Sequence, residues 1–455
     1  DRNRVLAGFL DNRKKEVEEL KKPERELRTL TGSSKSAVGD AVRQMWGGYA
    51  EEGQRALLHL ANSGYVSAFS RATACYELAR FYADTGRPFA GARMMADARR
   101  LSKSFMRGLR PRLLEADLLL RSGDLEASRQ RLNEHRVNRP NDPNYLIGLA
   151  NTFHHLGDRD GVLASVNEMF EGSDMYTIQC QDRTNPFLSL RAPQDTKAVT
   201  DGPKVSILIS SYNSVEFLRL AIGSIQEQTW KNIEILVTDD CSTDGSREIL
   251  REMAQEDPRL VIIENKKNFG TYGNRNAMLH RATGEFVTVH DSDDWSHPQM
   301  IEHQVKHLME NPQIRLNTTL MCRVSLDLQF YLRPSRASLE FCHMNYPGFL
   351  MRRTDILALG GWDPIMANAD AEFERRVKQV YGREAFEIIN PDVAYSFFLV
   401  HENSLTQQKK MNLRSLSFGS RNEYHRQSEH WMLARRKEAE VAEDPVTPFV
   451  LEGRQ

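Results

Sequence analysis

The chain has 455 residues, of which 40% are hydrophobic and 27% charged, so two or three domains with sizeable cores are expected. Its 61 Lys and Arg against 62 Asp and Glu give a formal net charge of −1, which removes any global electrostatic argument for a nucleic acid partner. Five dispersed cysteines without a CxxC pair disfavour a disulfide scaffold or a zinc knuckle and favour reduced thiols in the cytosol.

Residues 1–171 are predicted to form an all-α domain, because apolar residues recur there at spacings of three and four. Turn glycines are expected at Gly53, Gly86, Gly123 and Gly157, which are 33, 37 and 34 residues apart. This spacing resembles the tetratricopeptide repeat, whose helical pairs have a period of about 34 residues and bind protein partners. An irregular helical bundle is the alternative.

Residues 172–203 lose the helical period and gather Pro, Gly, Asp and Thr, so we expect a linker. From residue 204 four short apolar runs, VSILIS, IEILVT, RLVIIE and EFVTVH, each precede an amphipathic stretch. Repeated β–α units of this length predict an α/β domain with a doubly wound, mostly parallel sheet over residues 204–408. Residues 409–455 are predicted to be a charged helical extension. No run of the chain approaches the roughly 18 apolar residues that a transmembrane segment needs.

Polar residues follow all four predicted strands. The first strand is followed by Ser211–Asn213, the second by Asp239 and Asp240, the third by Asn265, and the fourth by residues 290–294. In an open α/β sheet, ligands bind outside the carboxyl ends of the strands. The sequence therefore predicts a site at this edge.

The sharpest feature of that edge is Asp291-Ser292-Asp293, directly after the fourth strand. Two carboxylates one residue apart are hard oxygen donors that suit Mg²⁺ or Mn²⁺ beside a diphosphate. Such an ion would neutralise charge on a leaving group. The alternative is an acidic turn that caps the helix beginning near Pro298.

The segment from Val205 to Thr406 resembles the family 2 glycosyltransferases of the GT-A fold. The matching phrases are VSILISSYN, LRLAIGSIQEQTW, EILVTDDCSTDGS, NFGTYGNRNAML, ATGEFVTVHDSDDWSHP and GGWDPIMANADAEFERR. The resemblance implies a UDP-sugar-type donor, a divalent metal and inversion at the anomeric carbon. It also implies a glycan or other hydroxyl acceptor, with capsule or lipopolysaccharide as the product class. We expect a cytoplasmic location, with peripheral attachment at the inner membrane as a variant of it.

The resemblance assigns roles to individual residues. Those that match donor-binding positions are Tyr212, Asp239, Asp240, Arg275 and Asp291, and those that match the metal site are Asp291, Asp293 and His401. Three alternatives stay open. One of Asp239 and Asp240 serves as a turn or helix cap, Arg275 pairs with a carboxylate at the sheet edge, or His401 is an ordinary surface residue.

The catalytic base is expected at Asp370, in ADAEFERR, which resembles the Glu-Asp motif of the family. Inverting transfer needs a group that takes the proton of the acceptor hydroxyl. Ala369 replaces the first acid of the motif, so Glu372 stays a competitor for this role. Trp362 is either an apolar wall for the acceptor or a core residue.

Two other functions remain as alternatives. A nucleotidyltransferase would share the sheet and the metal, but the stretch after the first strand, SSYNSVEF, lacks the Gly-rich basic loop expected of that class. A non-catalytic scaffold would use the helical repeats to bind partners and would carry an inactive transferase domain. Intact Asp291, Asp293 and Asp370 argue against the scaffold.

Overall fold

The computed structural model describes residues 34–137, 139, 141–182, 184–333, 338–365, 368–402 and 420–439. Contacts divide the chain into two compact units, Asp1–Gly123 and Asp124–Gln455. This division differs from the boundaries expected at residues 171 and 203, which stay predictions, as does the boundary at residue 408. Among the described helices, none combines the length and apolar composition that crossing a bilayer requires.

The first unit is helical throughout its described part. Its helices are α1 Ser34–Trp46, α2 Ala50–Asn62, α3 Ala68–Asp84, α4 Pro88–Leu101 and α5 Leu109–Arg121. Gly86 lies in the turn between α3 and α4 with a φ of 72°, as predicted. Gly53 was predicted in a turn, but it lies inside α2, where a Cβ would come within 2.5 Å of the Met45 backbone nitrogen. The glycine in the turn between α1 and α2 is Gly48. Its φ of 106° lies in a region that favours glycine, which explains why a glycine is found at this position.

Three further helices belong to the second unit: α6 Leu125–Arg136, α7 Pro143–His155 and α8 Arg159–Glu171. Asn144 and Asn151 lie seven residues apart and therefore on one face of α7. The Asn144 side chain accepts hydrogen bonds from the backbone of Phe341 and Cys342, and the Asn151 amide pairs with both backbone groups of Phe330. These polar contacts attach α7 to the α/β part of the chain.

The segment predicted as a linker is packed. Its two short strands, β1 Gln179–Cys180 and β2 Leu190–Arg191, pair antiparallel, and the side chains of Phe187 and Leu190 are buried. Ile178 also binds the Asn167 side chain of α8 through both backbone groups.

The remaining strands are β3 Val205–Ser211, β4 Ile233–Asp239, β5 Leu260–Glu264, β6 Phe286–Asp291, β7 Trp295–Ser296, β8 Leu316–Thr318, β9 Leu320–Val324, β10 Cys342–Met344, β11 Leu350–Arg352, β12 Phe386–Ile388 and β13 Ala394–Leu399. The remaining helices are α9 Leu218–Gln226, α10 Ser246–Glu256, α11 Gly270–Arg281, α12 Met300–Glu310, α13 Arg353–Ala358, α14 Ala369–Tyr381 and α15 Ser420–Ala439.

The large sheet has the order β12-β8-β11-β6-β3-β4-β5. Its pairs β6/β3, β3/β4 and β4/β5 are parallel, and only the two pairs made by β11 are antiparallel. Strand β4 is buried along its whole length, which fits the apolar and β-branched residues that make up most of its sequence, IEILVTD. The predicted α/β class with a mostly parallel sheet is confirmed.

The chain order places a ligand crevice between β3 and β6. From β3 the chain continues through β4 and β5 on one side and then returns by α11 to β6 on the other side. Such a switch point leaves an opening at the carboxyl ends of the two central strands. A second sheet, β10-β9-β13-β7, contributes the strand that follows the acidic turn after β6 and the strand that precedes His401.

Candidate active site

The register of the sheet brings the predicted strand-end residues to one level. Ser211 pairs with Asp239, and Ser210 pairs with Asp291. Because β3, β4 and β6 are parallel neighbours, the turns that follow them open at the same edge. The structure therefore brings together the polar clusters that follow β3, β4 and β6.

The acidic turn after β6 leaves two carboxylates open. The side chains of Asp291 and Asp293 are 33% and 25% exposed. Asp293 Oδ2 lies 2.8 Å from His401 Nε2, and the His401 ring packs against Phe217. Asp294, in contrast, is buried and accepts the backbone N–H of Leu399.

Arg275 connects the acidic turn to Asp370. One guanidinium nitrogen donates to Asp291 Oδ1 at 2.9 Å, and the other donates to Asp370 Oδ1 at 2.7 Å. The Arg275 side chain is almost fully buried, so its pair with the largely buried Asp370 is more shielded from water than its pair with the partly exposed Asp291. In this structure Arg275 therefore makes the contacts expected under the alternative interpretation, in which it pairs with carboxylates at the sheet edge.

Asp370 lies in the first turn of α14, where a negative charge is favoured by the helix dipole. Its second oxygen accepts the Tyr272 hydroxyl at 3.0 Å. Burial, and then the negative charge of Asp370, raise the pKa of Tyr272, so the phenol keeps its proton and donates. Both oxygens of Asp370 are thus held by residues of α11.

The competitor for the base, Glu372, is fully buried. It pairs with Arg376 at 2.9 Å, and Arg376 also donates to the carbonyls of Leu359 and Gly361. Trp362 is buried as well and stacks on Phe373 with ring centroids 5.4 Å apart. Trp362 is therefore a core residue and cannot present its ring to an acceptor.

The two aspartates after β4 have different partners. Asp240 accepts the backbone N–H groups of Phe269 and Gly270, both at 2.9 Å, and the Asn265 amide, so it holds the start of α11. Asp239 accepts Arg247 on Oδ2, whereas its buried Oδ1 has no hydrogen-bond partner in the part of the chain that the structure describes.

Tyr212 follows β3 with its ring 53% exposed at the mouth of the crevice. The next residue, Asn213, has a φ of 49°, and its side chain accepts the Thr243 N–H, which joins the turns after β3 and β4. A planar ring in this position offers a stacking face to a ligand at the edge of the sheet.

Negative charge is in excess around the acidic turn. Burial raises the pKa of Asp291, and the charges of Asp293 and Asp370 add to this although Arg275 opposes it. Burial, and then the charges of Asp293 and Asp291, raise the pKa of Asp294 well above its usual range. Burial lowers the pKa of His290 to about 4, so this imidazole is neutral and does not compensate the charge.

A hard cation would relieve this excess, and the open carboxylates of Asp291 and Asp293 are suitable oxygen ligands. Among the residues that the structure describes, no group of three or more His, Cys, Asp or Glu side chains is already gathered as a metal site. The three predicted metal ligands do not all contact one another in this structure. His401 pairs with Asp293, and Asp291 pairs with Arg275.

Sequence reasoning missed Tyr272 and Arg247 as members of the site. Tyr272 lies three residues before Arg275 on α11, a spacing that places two side chains on one helix face. Arg247 lies in the first turn of α10 and reaches back to Asp239. The helical spacing could have found the first residue, whereas the second depends on how α10 packs on the sheet.

Residues 206–326 match the family model described as Glycosyl transferase family 2. The chain carries a family 2 glycosyltransferase domain. The match begins in β3 and contains the acidic turn, so the GT-A fold implied by the sequence agrees with the observed sheet.

Curated relatives of the glycosyltransferase domain are similar over about a hundred residues. Glycosyltransferase GlyA of Streptococcus pneumoniae is 40% identical over 107 residues, which cover 24% of this chain and 15% of that protein. The GalNAc(5)-diNAcBac-PP-undecaprenol beta-1,3-glucosyltransferase of Campylobacter jejuni is 39% identical over 93 residues, or 20% and 30% of the two chains. The UDP-Glc:alpha-D-GlcNAc-diphosphoundecaprenol beta-1,3-glucosyltransferase WfaP of Escherichia coli is 36% identical over 110 residues, or 24% and 43%. The matches span less than half the length of each of these relatives.

Among solved structures, Staphylococcus aureus TarS has a TM-score of 0.35 at 18% identity, over 54% of this chain and 50% of that chain. The mannosyltransferase PcManGT of Pyrobaculum calidifontis, in complex with GDP-Man and Mn²⁺, also has a TM-score of 0.35, at 17% identity over 67% and 78% of the chains.

Proposed function

We propose that this chain transfers a sugar from a nucleotide-sugar, with a UDP-sugar favoured, to an acceptor hydroxyl by a single inverting displacement. The observation that carries the proposal is the bridge from Asp291 through Arg275 to Asp370. It joins the acidic turn, on the donor side, to a carboxylate that is free of backbone hydrogen bonds. Such an arrangement would supply a turn that can hold a cation on the donor side and a base at one sheet edge.

Asp370 is the proposed general base. It would accept the proton of the acceptor hydroxyl as the oxygen attacks the anomeric carbon, and the bond from that carbon to the diphosphate breaks. Arg275 and Tyr272 are proposed as positioning residues, because each holds one oxygen of Asp370. The two nitrogens with which Arg275 contacts Asp291 and Asp370 are already engaged, so a diphosphate would have to displace a carboxylate to bind them.

Asp291 and Asp293 are proposed to hold a divalent cation, Mn²⁺ or Mg²⁺, with His401 beside Asp293. When bound, this ion would neutralise negative charge on the departing nucleoside diphosphate. The excess negative charge of the turn and the exposure of its two carboxylates support this assignment.

Asp239 and Tyr212 are proposed to bind the nucleobase. The unpaired Oδ1 of Asp239 can accept a uracil N–H, and the exposed ring of Tyr212 can stack on the base. Asp240, whose oxygens are occupied by the start of α11, is proposed as a structural residue at this site.

The acceptor is proposed to be a growing surface glycan. Two of the relatives are named as acting on undecaprenol-linked diphosphates, which supports a lipid-linked acceptor. The proposed location of the protein is the cytoplasm. The helices of the first unit are proposed to recruit a partner protein or the acceptor.

The test is a thermal-shift screen of nucleotide-sugars with Mn²⁺, followed by a transfer assay with the best donor. We expect UDP-sugars to stabilise the protein only when metal is present, and Asp239→Asn to weaken this effect. Stabilisation by nucleoside triphosphates with release of pyrophosphate would favour a nucleotidyltransferase. Absence of any donor effect would favour the scaffold.

A further inference from the structure

Positive charge is concentrated in the first unit. Residues 34–123 contain 14 Lys and Arg against 8 Asp and Glu, whereas the whole chain is nearly balanced at 61 against 62. A neutral total therefore conceals a basic helical unit, and an uneven charge distribution of this kind indicates an anionic partner for the basic part.

The charge is densest between α4 and α5. Residues 98–114 contain six Lys and Arg and no Asp or Glu. Arg99 and Arg100 form ion pairs with Glu115 and Asp97. Lys103 and Arg107 are exposed, and the structure gives neither an ion-pair partner among the described residues. These two cations are thus available to a ligand.

Aromatic rings lie beside these cations. Phe105, in the short 3₁₀ helix Phe105–Arg107, contacts the ring of Phe69 with centroids 5.4 Å apart. Phe69 is 56% exposed at the start of α3, and Tyr65, four residues earlier, is 63% exposed. We define the basic aromatic edge as Tyr65, Phe69, Lys103, Phe105 and Arg107.

We propose that the basic aromatic edge binds the surface of a lipid bilayer that contains anionic headgroups. Unpaired Lys and Arg side chains attract anionic headgroups, and each contributes about 1 kcal/mol near such a surface. Phe and Tyr rings gain free energy by entering the region between headgroups and acyl chains. A soluble polyanion would be attracted by the cations, but it has no apolar region that would receive the exposed rings of Tyr65 and Phe69. This inference is independent of the proposed function, because it concerns only residues of the first unit.

The experiment is flotation of the full chain with two kinds of vesicle, phosphatidylcholine alone and phosphatidylcholine with about 30% phosphatidylglycerol. We expect binding to the anionic vesicles only, weakened at high salt because exposed charges are screened. The double variant Lys103→Glu/Arg107→Glu should reduce binding at least about tenfold. Phe69→Ser should reduce it several-fold, while binding of soluble polyphosphate stays unchanged.

The matched control is Arg55→Glu/Arg93→Glu, which makes the same change of net charge at exposed positions on other helices of the unit. We expect this variant to bind as the unaltered chain does, and circular dichroism should show equal helicity for all variants. Equal loss of binding in the control would overturn the proposal, because net charge alone would then explain the effect. Undiminished vesicle binding by Phe69→Ser would also overturn the proposal, because the exposed ring would then make no contribution to binding. The absence of any vesicle binding by the unaltered chain would overturn it as well.

Discussion

The turns after β4 and β6 each begin with acidic residues at the same edge of one sheet, yet their carboxylates are used differently. After β4, Asp240 is occupied by two backbone N–H groups and an amide. After β6, the side chains of Asp291 and Asp293 are partly exposed, and among the described residues their carboxylates are contacted by the side chains of Arg275 and His401. An acid that satisfies backbone groups stabilises the fold, whereas an acid held by side chains remains available for a ligand. Hydrogen-bond partners, and not acidity or position, therefore separate the two roles.

The comparison predicts its largest effect at Asp293. Asp293→Ala should lower transfer to background, because the proposed cation loses a direct ligand, and it should leave the melting temperature nearly unchanged. The measurement is the rate of product formation with Mn²⁺, together with a thermal melt without ligand. Full activity of this variant after treatment with a chelator would remove the metal site from the account.

Asp370 and Glu372 of α14 are both held by side chains, but the Asp370 side chain keeps 12% exposure whereas that of Glu372 is fully buried. Asp370→Asn should lower turnover by about 10²–10⁴-fold, the usual contribution of a general base, with donor affinity nearly unchanged. Glu372→Gln is the matched control, since it makes the same chemical change two residues away. It should lower the free energy of unfolding by about 3–5 kcal/mol, because Arg376 is left buried without its charge partner. Its activity per folded molecule should be retained. An active Asp370→Asn together with an inactive Glu372→Gln would reverse the assignment.

At the β4 end, Asp240→Ala should affect stability. It leaves the N–H groups of Phe269 and Gly270 without their acceptor, which should cost about 1–3 kcal/mol in the free energy of unfolding. Urea denaturation measures this value. Asp240→Asn keeps one acceptor oxygen, so its free energy of unfolding should lie between those of the unaltered chain and of Asp240→Ala. A fully stable Asp240→Ala that has lost donor binding would place Asp240 with the functional acids.

The smallest effect is expected for Tyr272→Phe, which removes one of the hydrogen bonds that hold Asp370. We expect kcat to fall about 2- to 13-fold, which corresponds to the roughly 0.5–1.5 kcal/mol that one hydrogen bond typically contributes. The donor dissociation constant should stay the same, and this difference separates a positioning role from donor binding. A change in donor affinity without a change in kcat would contradict the role given to Tyr272.

Local patterns were sufficient to predict the four strands β3–β6, their polar ends and the acidic turn. A short run dominated by apolar and β-branched residues, such as IEILVT, favours a buried strand, and the acids that follow the run then lie at the strand end. The sequence also predicted that one of Asp239 and Asp240 would be a cap, but it left open which one. That choice depends on the start of α11, about 30 residues further along the chain.

Contacts between distant residues were beyond local patterns. Arg275 and Asp370 are separated by 95 residues, so their ion pair follows only from the packing of α11 against α14. Asn144 and Asn151 look like solvent-exposed residues of a helix, yet they bind backbone groups nearly 200 residues away. For this reason helical periodicity alone could not reveal that α6–α8 belong with the α/β unit.

The most direct test of the central claim, that the acids at the β6 end and Asp370 perform one inverting sugar transfer, is the stereochemistry of the product. The full chain is incubated with the best nucleotide-sugar, Mn²⁺ and an acceptor, while release of nucleoside diphosphate is followed and the new linkage is assigned by NMR. The account predicts that nucleoside diphosphate is released only with acceptor present, and that the anomeric configuration is opposite to that of the donor. A product that retains the donor configuration, or release of pyrophosphate in place of nucleoside diphosphate, would contradict it.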